Sequence, residues 1–160
     1  VNEMCRMTEE LEARDEPIVF VFFGDHKPWM GNGNSVYTEI GVDLDVSTLE
    51  GFYNYYATPY VIYANEAARE LLGSDFAGDG GDFSPCFLMA RLFDECGWEG
   101  PGLMQLQREM REVSPLMSSN GWRMQDGQLT AALEGAAEDE NNRYLRAQYY
   151  IETHLKEDAL

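Results

Sequence analysis

Two runs of apolar residues in the first half of the chain predict its strands. Residues 18–23 are six consecutive β-branched or aromatic residues, and the run ends at Gly24. This length and composition are typical of a strand that is buried on both faces inside a parallel sheet. Tyr60–Ala64 forms a similar run and ends at Asn65, which we expect to cap whatever follows.

Helical periodicity surrounds these two runs. Met4, Met7 and Leu11 are spaced as one apolar face of a helix over residues 3–14. Ser47 and Glu50 form a capping-box pattern, in which each side chain accepts a backbone N–H at the helix start. Further helices are predicted over residues 85–97, 103–113 and 138–155, and a hairpin turn is predicted at Asp126-Gly127. The helix-then-strand order indicates an α/β fold.

The length of 160 residues suits one domain with its own core. Residues 73–82, which are rich in glycine and aspartate, are predicted to be a flexible loop or linker. The acids in this loop lack the spacing and the final glutamate of a calcium-binding EF-hand loop. The chain begins without methionine, within a predicted helix, so we expect it to be a piece of a longer protein.

The net charge of −18 excludes some classes of partner. Nucleic acids and anionic membrane surfaces are bound mainly through lysine and arginine, so neither is expected here. No apolar run approaches the ~18 residues of a membrane span, and no signal peptide begins at Val1.

The three cysteines are predicted to be free and buried. On one helix, Cys86 and Cys96 would be ~15 Å apart, because each residue adds ~1.5 Å. A disulfide needs Cα atoms within about 7 Å.

The tripeptide Gly24-Asp25-His26 is the strongest candidate site. In open α/β sheets, ligands bind at the C-terminal ends of strands, and glycine lets the backbone approach closely. A carboxylate next to an imidazole suits a divalent metal. The same tripeptide also occurs as a plain turn, with the aspartate capping a backbone N–H and the histidine solvated. Both interpretations are open from the spacing alone.

Residues 17–28, PIVFVFFGDHKP, resemble the metal-binding strand end of the lipoteichoic acid synthase family of phosphoglycerol transferases, within the alkaline phosphatase and sulfatase superfamily. Only the Gly-Asp-His-x-Pro motif is specific, although the resemblance covers most of the chain. Its other matches are YTEIG at 37–41, TPYVIYAN at 58–65, SPCFL at 84–88 and the segment 144–150.

The resemblance implies that residues 1–160 are the C-terminal portion of such a catalytic domain. It implies a partial alkaline phosphatase-like sheet with flanking helices. The metal ligands would be Asp25 and His26, with manganese as the expected metal and zinc or magnesium as alternatives. The substrate would be a phosphoglycerol lipid or another phosphate or sulfate ester at the outer face of the cell membrane. Lys27 would help to neutralise a phosphate or simply be solvated.

The family's nucleophilic threonine belongs to a part of the domain upstream of this chain. Thr8, Thr38 and Thr58 do not lie in that sequence context, so we expect the parent protein to be an enzyme and the isolated chain to be inactive. The alternative function is a small acidic α/β interaction module without catalytic activity. Because the two apolar strands would lose their family neighbours, we also expect the isolated chain to self-associate.

Overall fold

Seven α-helices and two small antiparallel sheets make up residues 2–155, the part of the chain that this computed structural model describes. The fold is therefore mixed α/β. The chain divides into two compact units, residues 1–77 and residues 78–160. The division falls inside the 73–82 segment.

The N-terminal unit, residues 1–77, contains four helices and one two-stranded sheet. Its elements are α1 (Asn2–Glu12), β1 (Val19–Phe23), a 3₁₀ turn (Asn32–Asn34), α2 (Ser35–Glu39), α3 (Leu49–Tyr56), β2 (Tyr60–Ala64) and α4 (Glu66–Leu72). Both predicted strands are present, and β2 has the predicted bounds.

The prediction of a parallel sheet with a fully buried first strand is wrong. β1 and β2 pair antiparallel, with Val19 opposite Ala64 and Phe23 opposite Tyr60. The side chains of Phe22 and Phe23 are 44% and 52% exposed. A continuous apolar run does not specify how many strands flank it. In the described residues this sheet has two strands, and the second half of β1 is exposed.

The sheet is tied to α1 and α4 by a polar cluster. The Tyr63 hydroxyl on β2 donates to the Glu12 carboxylate on α1, and Arg69 on α4 forms an ion pair with the same carboxylate. These interactions with Arg69 and Tyr63 lower the pKa of Glu12. One carboxylate therefore joins both helices to β2.

The Asn65 side chain makes five hydrogen bonds within this unit. It is fully buried, and its Oδ1 accepts from the backbone N–H groups of Ile18 and Ala68, at 2.9 and 3.1 Å. Its Nδ2 donates to the carbonyl oxygens of Leu11, Arg14 and Glu16. The expected cap at Asn65 is confirmed, and the same side chain also closes the connection from α1 to β1.

The helix start at α3 differs from the capping-box prediction by one residue. The N-cap is Thr48, whose hydroxyl oxygen accepts from Gly51 N–H at 3.0 Å. Ser47 instead donates to the Asp45 carboxylate. Serine and threonine are both good N-caps, so the sequence alone did not separate two adjacent candidates.

The C-terminal unit, residues 78–160, is built on helix packing. Its elements are a 3₁₀ turn (Pro85–Phe87), α5 (Leu88–Glu95), α6 (Gly102–Val113), β3 (Arg123–Gln125), β4 (Gln128–Thr130), α7 (Ala136–Tyr150) and a π-helical turn (Ile151–Leu155). The core consists of Phe87, Met110, Leu133, Ala137 and Tyr144. Asp126 and Gly127 form the hairpin turn with positive φ, as predicted.

The three cysteines are free, as expected, but Cys96 alone is buried. Burial raises the pKa of the Cys96 thiol. None of the helices in residues 2–155 combines the length and the apolar character that crossing a membrane requires.

The exposed apolar face of the first sheet leads to a prediction about association. Phe22 on β1 lies opposite Val61 on β2, and both are more than a third exposed. Each strand also has an outer edge without a neighbouring strand in residues 2–155. Such edges and apolar patches recruit other chains. We expect the isolated chain to form a two-fold dimer, measured by light scattering after gel filtration at moderate salt.

A charge on this face should weaken the dimer. Phe22→Glu is expected to shift the equilibrium to monomer, whereas Leu71→Glu should not, although Leu71 on α4 is 71% exposed. A monomer at tens of micromolar in the unsubstituted chain would contradict the prediction.

Candidate metal-binding cleft

The candidate motif begins where β1 runs alongside the residues that precede β2. Gly24 N–H donates to Pro59 O at 3.0 Å, and the Thr58 hydroxyl donates to Gly24 O at 2.6 Å. A Cβ at Gly24 would lie 3.0 Å from Thr58 Cβ, which is tighter than normal packing. A larger residue at position 24 would have to displace Thr58 by a few tenths of an ångström, so glycine suits this close approach.

Asp25 and His26 lie side by side at this strand end. Asp25 Oδ1 accepts from His26 N–H at 2.8 Å, which is the cap that the plain-turn interpretation expects. The second oxygen, Oδ2, is 3.5 Å from His26 Nε2. Both side chains are highly exposed, at 80% for Asp25 and 76% for His26. The turn and the metal interpretation are therefore compatible, because they use different oxygens of one carboxylate.

The histidine is held in the orientation that a metal ligand needs. His26 Nδ1 is 2.9 Å from Lys27 O. A carbonyl oxygen only accepts, so Nδ1 carries a proton in this hydrogen bond, and deprotonation of the ring would leave the lone pair on Nε2. Metal-binding histidines commonly donate their other N–H to a backbone carbonyl in this way.

The separation of the two candidate ligand atoms fits a shared ion. Two ligand atoms at ~2.1 Å from a tetrahedral ion are roughly 3.4 Å apart, close to the 3.5 Å between Asp25 Oδ2 and His26 Nε2. They would fill two positions of a shell. Among residues 2–155, no group of three or more His, Cys, Asp or Glu side chains is placed to hold a metal ion.

Both candidate ligands line an open cleft of about 390 Å³ in the N-terminal unit. This volume is within the usual range of small-molecule sites. The other lining residues come from the loop after β1, from α2 and its surroundings and from α3: Lys27, Pro28, Trp29, Asn34, Tyr37, Leu44, Asn54, Tyr55 and Tyr56.

Lys27 and Trp29 both line the cleft but differ in exposure. Lys27 is half-buried, not simply solvated, and its Nζ donates to Asn54 O at 2.6 Å. The Trp29 side chain, in the loop after β1, is 68% exposed at the cleft. The aromatic face of α3 is divided, since Phe52 is buried and Tyr56 lines the cleft.

Sequence reasoning did not include Tyr37, Asn54 and Tyr55 in the site. They belong to α2 and α3, and only the tertiary fold brings them beside the motif. Of Thr8, Thr38 and Thr58, Thr58 lies next to Gly24, but its hydroxyl donates to the Gly24 carbonyl oxygen. His154, the second histidine, is exposed and stacks on Tyr150, far along the sequence in the other unit.

No family model, curated protein or solved structure matches this chain. The function of the cleft is therefore inferred from its own residues and from the resemblance at residues 17–28.

Proposed function

We propose that this chain supplies two metal ligands, Asp25 and His26, to a metal-dependent transferase or hydrolase that acts on phosphate or sulfate esters at the cell envelope. The class is that of the lipoteichoic acid synthase-like enzymes of the alkaline phosphatase superfamily. The observation that carries the proposal is the convergence of Asp25 Oδ2 and His26 Nε2, 3.5 Å apart, at a cleft that follows a strand end.

In this proposal the chain's own residues have distinct roles. Asp25 provides a charged oxygen and His26 a neutral nitrogen, and the Nδ1–H bond to Lys27 O fixes the ring. A bound divalent ion, with manganese favoured, would neutralise ester charge and activate a hydroxyl. The remaining ligands and the nucleophilic threonine would come from residues outside 1–160, so the isolated chain would bind metal weakly and turn over little substrate.

Paramagnetic manganese provides a test that does not depend on activity. We expect a low ratio of Mn²⁺ to broaden the backbone amide signals of residues 24–28 in the N-terminal unit. Asp25→Ala and His26→Ala should each weaken binding by about tenfold or more, since each removes half of a two-ligand site. His154→Ala is the matched control, because it removes the other exposed imidazole and should change nothing.

Two results would contradict this proposal in different ways. Broadening that persists in both site variants would show that the ion binds elsewhere. Tight one-to-one binding of Mn²⁺ or Zn²⁺ that is lost in Asp25→Ala would show a complete shell within this chain.

The alternative function, an acidic interaction module, is favoured by the exposed Phe22 and Phe23 on the first sheet. An absence of metal binding together with self-association through the sheet face that carries Phe22 and Val61 would favour it over the enzyme.

A further inference from the structure

The cleft beside Asp25 has an aromatic wall. Trp29 is 68% exposed, and Tyr55 and Tyr56 on α3 are 36% and 41% exposed. Burial of an aromatic side chain is strongly favourable, so several exposed rings in one concave site need an explanation. Exposed apolar groups gathered in a cleft mark ligand sites.

Hydrogen bonds hold the backbone around Trp29 in place, although the indole ring itself is exposed. On one side, Lys27 Nζ donates to Asn54 O and joins the loop to α3. On the other side, the buried Asn34 accepts from Met30 N–H at 3.1 Å. The Tyr37 hydroxyl donates to Pro28 O at 2.9 Å. The indole is thus presented on a fixed support, and a preorganised site loses less entropy when a ligand binds.

Without a bound divalent ion, the charges at the cleft favour a neutral ligand. At neutral pH its lining carries one negative group, Asp25, and one positive group, Lys27, whereas the whole chain has a net charge of −18. An aromatic wall also attracts quaternary ammonium ions, but the Lys27 ammonium opposes a second cation. A nucleotide would bring further negative charge to a strongly acidic chain.

We propose that this cleft binds a neutral saccharide, with one sugar ring stacked on Trp29 and its hydroxyls paired with Asp25 and Lys27. A sugar ring has an apolar face of C–H groups and a rim of hydroxyls, which matches an aromatic wall beside a carboxylate and an ammonium. The inference rests on the proposed function only in that both place a ligand in the same cleft. Saccharide binding itself does not require a metal.

Chemical-shift titration of the 160-residue chain with cellobiose and with maltose, in the presence of EDTA, tests the inference. We expect saturable shifts of the Trp29 indole N–H and of the amide signals of Tyr55 and Tyr56. Trp29→Ala should weaken binding about tenfold, in line with the loss of one stacked ring. Tyr55→Ala should weaken it by a smaller factor, because Tyr55 is the least exposed of the three rings.

Tyr149→Ala is the control, because Tyr149 is also 68% exposed but lies on α7 in the other unit. It should leave saccharide binding unchanged. The inference is overturned if neither sugar shifts the Trp29 signal, or if the shifts persist in Trp29→Ala. It is also overturned if tetramethylammonium produces the shifts and the sugars do not. Since EDTA removes divalent ions, this outcome is independent of the manganese experiment.

Discussion

Replacing Asn65 with alanine is expected to destabilise the N-terminal unit by about 3–5 kcal/mol. The change removes the N-cap of α4 and leaves the backbone N–H groups of Ile18 and Ala68 without their acceptor. It also removes the donor shared by three carbonyl groups in residues 11–16. Each buried polar group that loses its partner costs roughly 1–3 kcal/mol, so the losses exceed those of a simple cap.

Urea unfolding followed by Trp29 fluorescence measures this effect, because Trp29 is the one tryptophan in residues 1–77. The substitutions Trp98→Phe and Trp122→Phe remove the tryptophans of the other unit, so that all tryptophan fluorescence comes from Trp29. Asn32→Ala is the control, since Asn32 is exposed in the same unit. A loss below ~1 kcal/mol for Asn65→Ala would mean that water replaces the amide and that Asn65 does not organise this unit.

Replacing Gly51 with alanine is expected to cost roughly 3 kcal/mol and to disturb the cleft. A Cβ at Gly51 would lie 2.1 Å from Asp45 O and 2.6 Å from Asp45 N. The Asp45 carbonyl is held by both the N–H and the hydroxyl of Thr48, so it does not move without loss of the α3 cap. Relief of the clash must therefore displace α3, which carries Asn54, Tyr55 and Tyr56.

Gly102→Ala is the matched control for this change. Gly102 is also helical, on α6, and a Cβ there meets nothing within 4 Å. Alanine should be neutral there or stabilise by up to ~1 kcal/mol, because glycine is the poorer helix former. The changes that the two substitutions cause in the free energy of unfolding, measured in urea, should thus have opposite signs, or the change for Gly102→Ala should be close to zero. A destabilisation of Gly51→Ala no larger than that of Gly102→Ala would refute the close approach of Asp45 to α3.

The local elements of the fold were largely predictable. The bounds of β2, the cap at Asn65 and the Asp126-Gly127 turn each depend on a few neighbouring residues, and the structure confirms them. The helix predicted over residues 103–113 is α6, Gly102–Val113. In these cases the spacing of apolar residues and the chemistry of caps and turns determine the outcome.

The arrangement of the strands was not predictable, because strand pairing depends on distant parts of the chain. The run at residues 18–23 has the composition of a buried parallel strand, yet β1 pairs antiparallel with β2 and exposes Phe22 and Phe23. A run of apolar residues indicates only that burial of the strand's side chains is favourable. It does not indicate which element packs against the strand.

The same distinction between local sequence and tertiary structure applies to the candidate site. Sequence alone placed Asp25 and His26 together, because adjacent residues after a strand must lie close in space. The tertiary structure decided what surrounds them, since the turn of Asn34 and the packing of α3 bring Trp29, Tyr55 and Tyr56 to the same cleft. Covalent neighbours are determined by the order of the residues, whereas a cleft is formed by segments that meet only when the core between them packs.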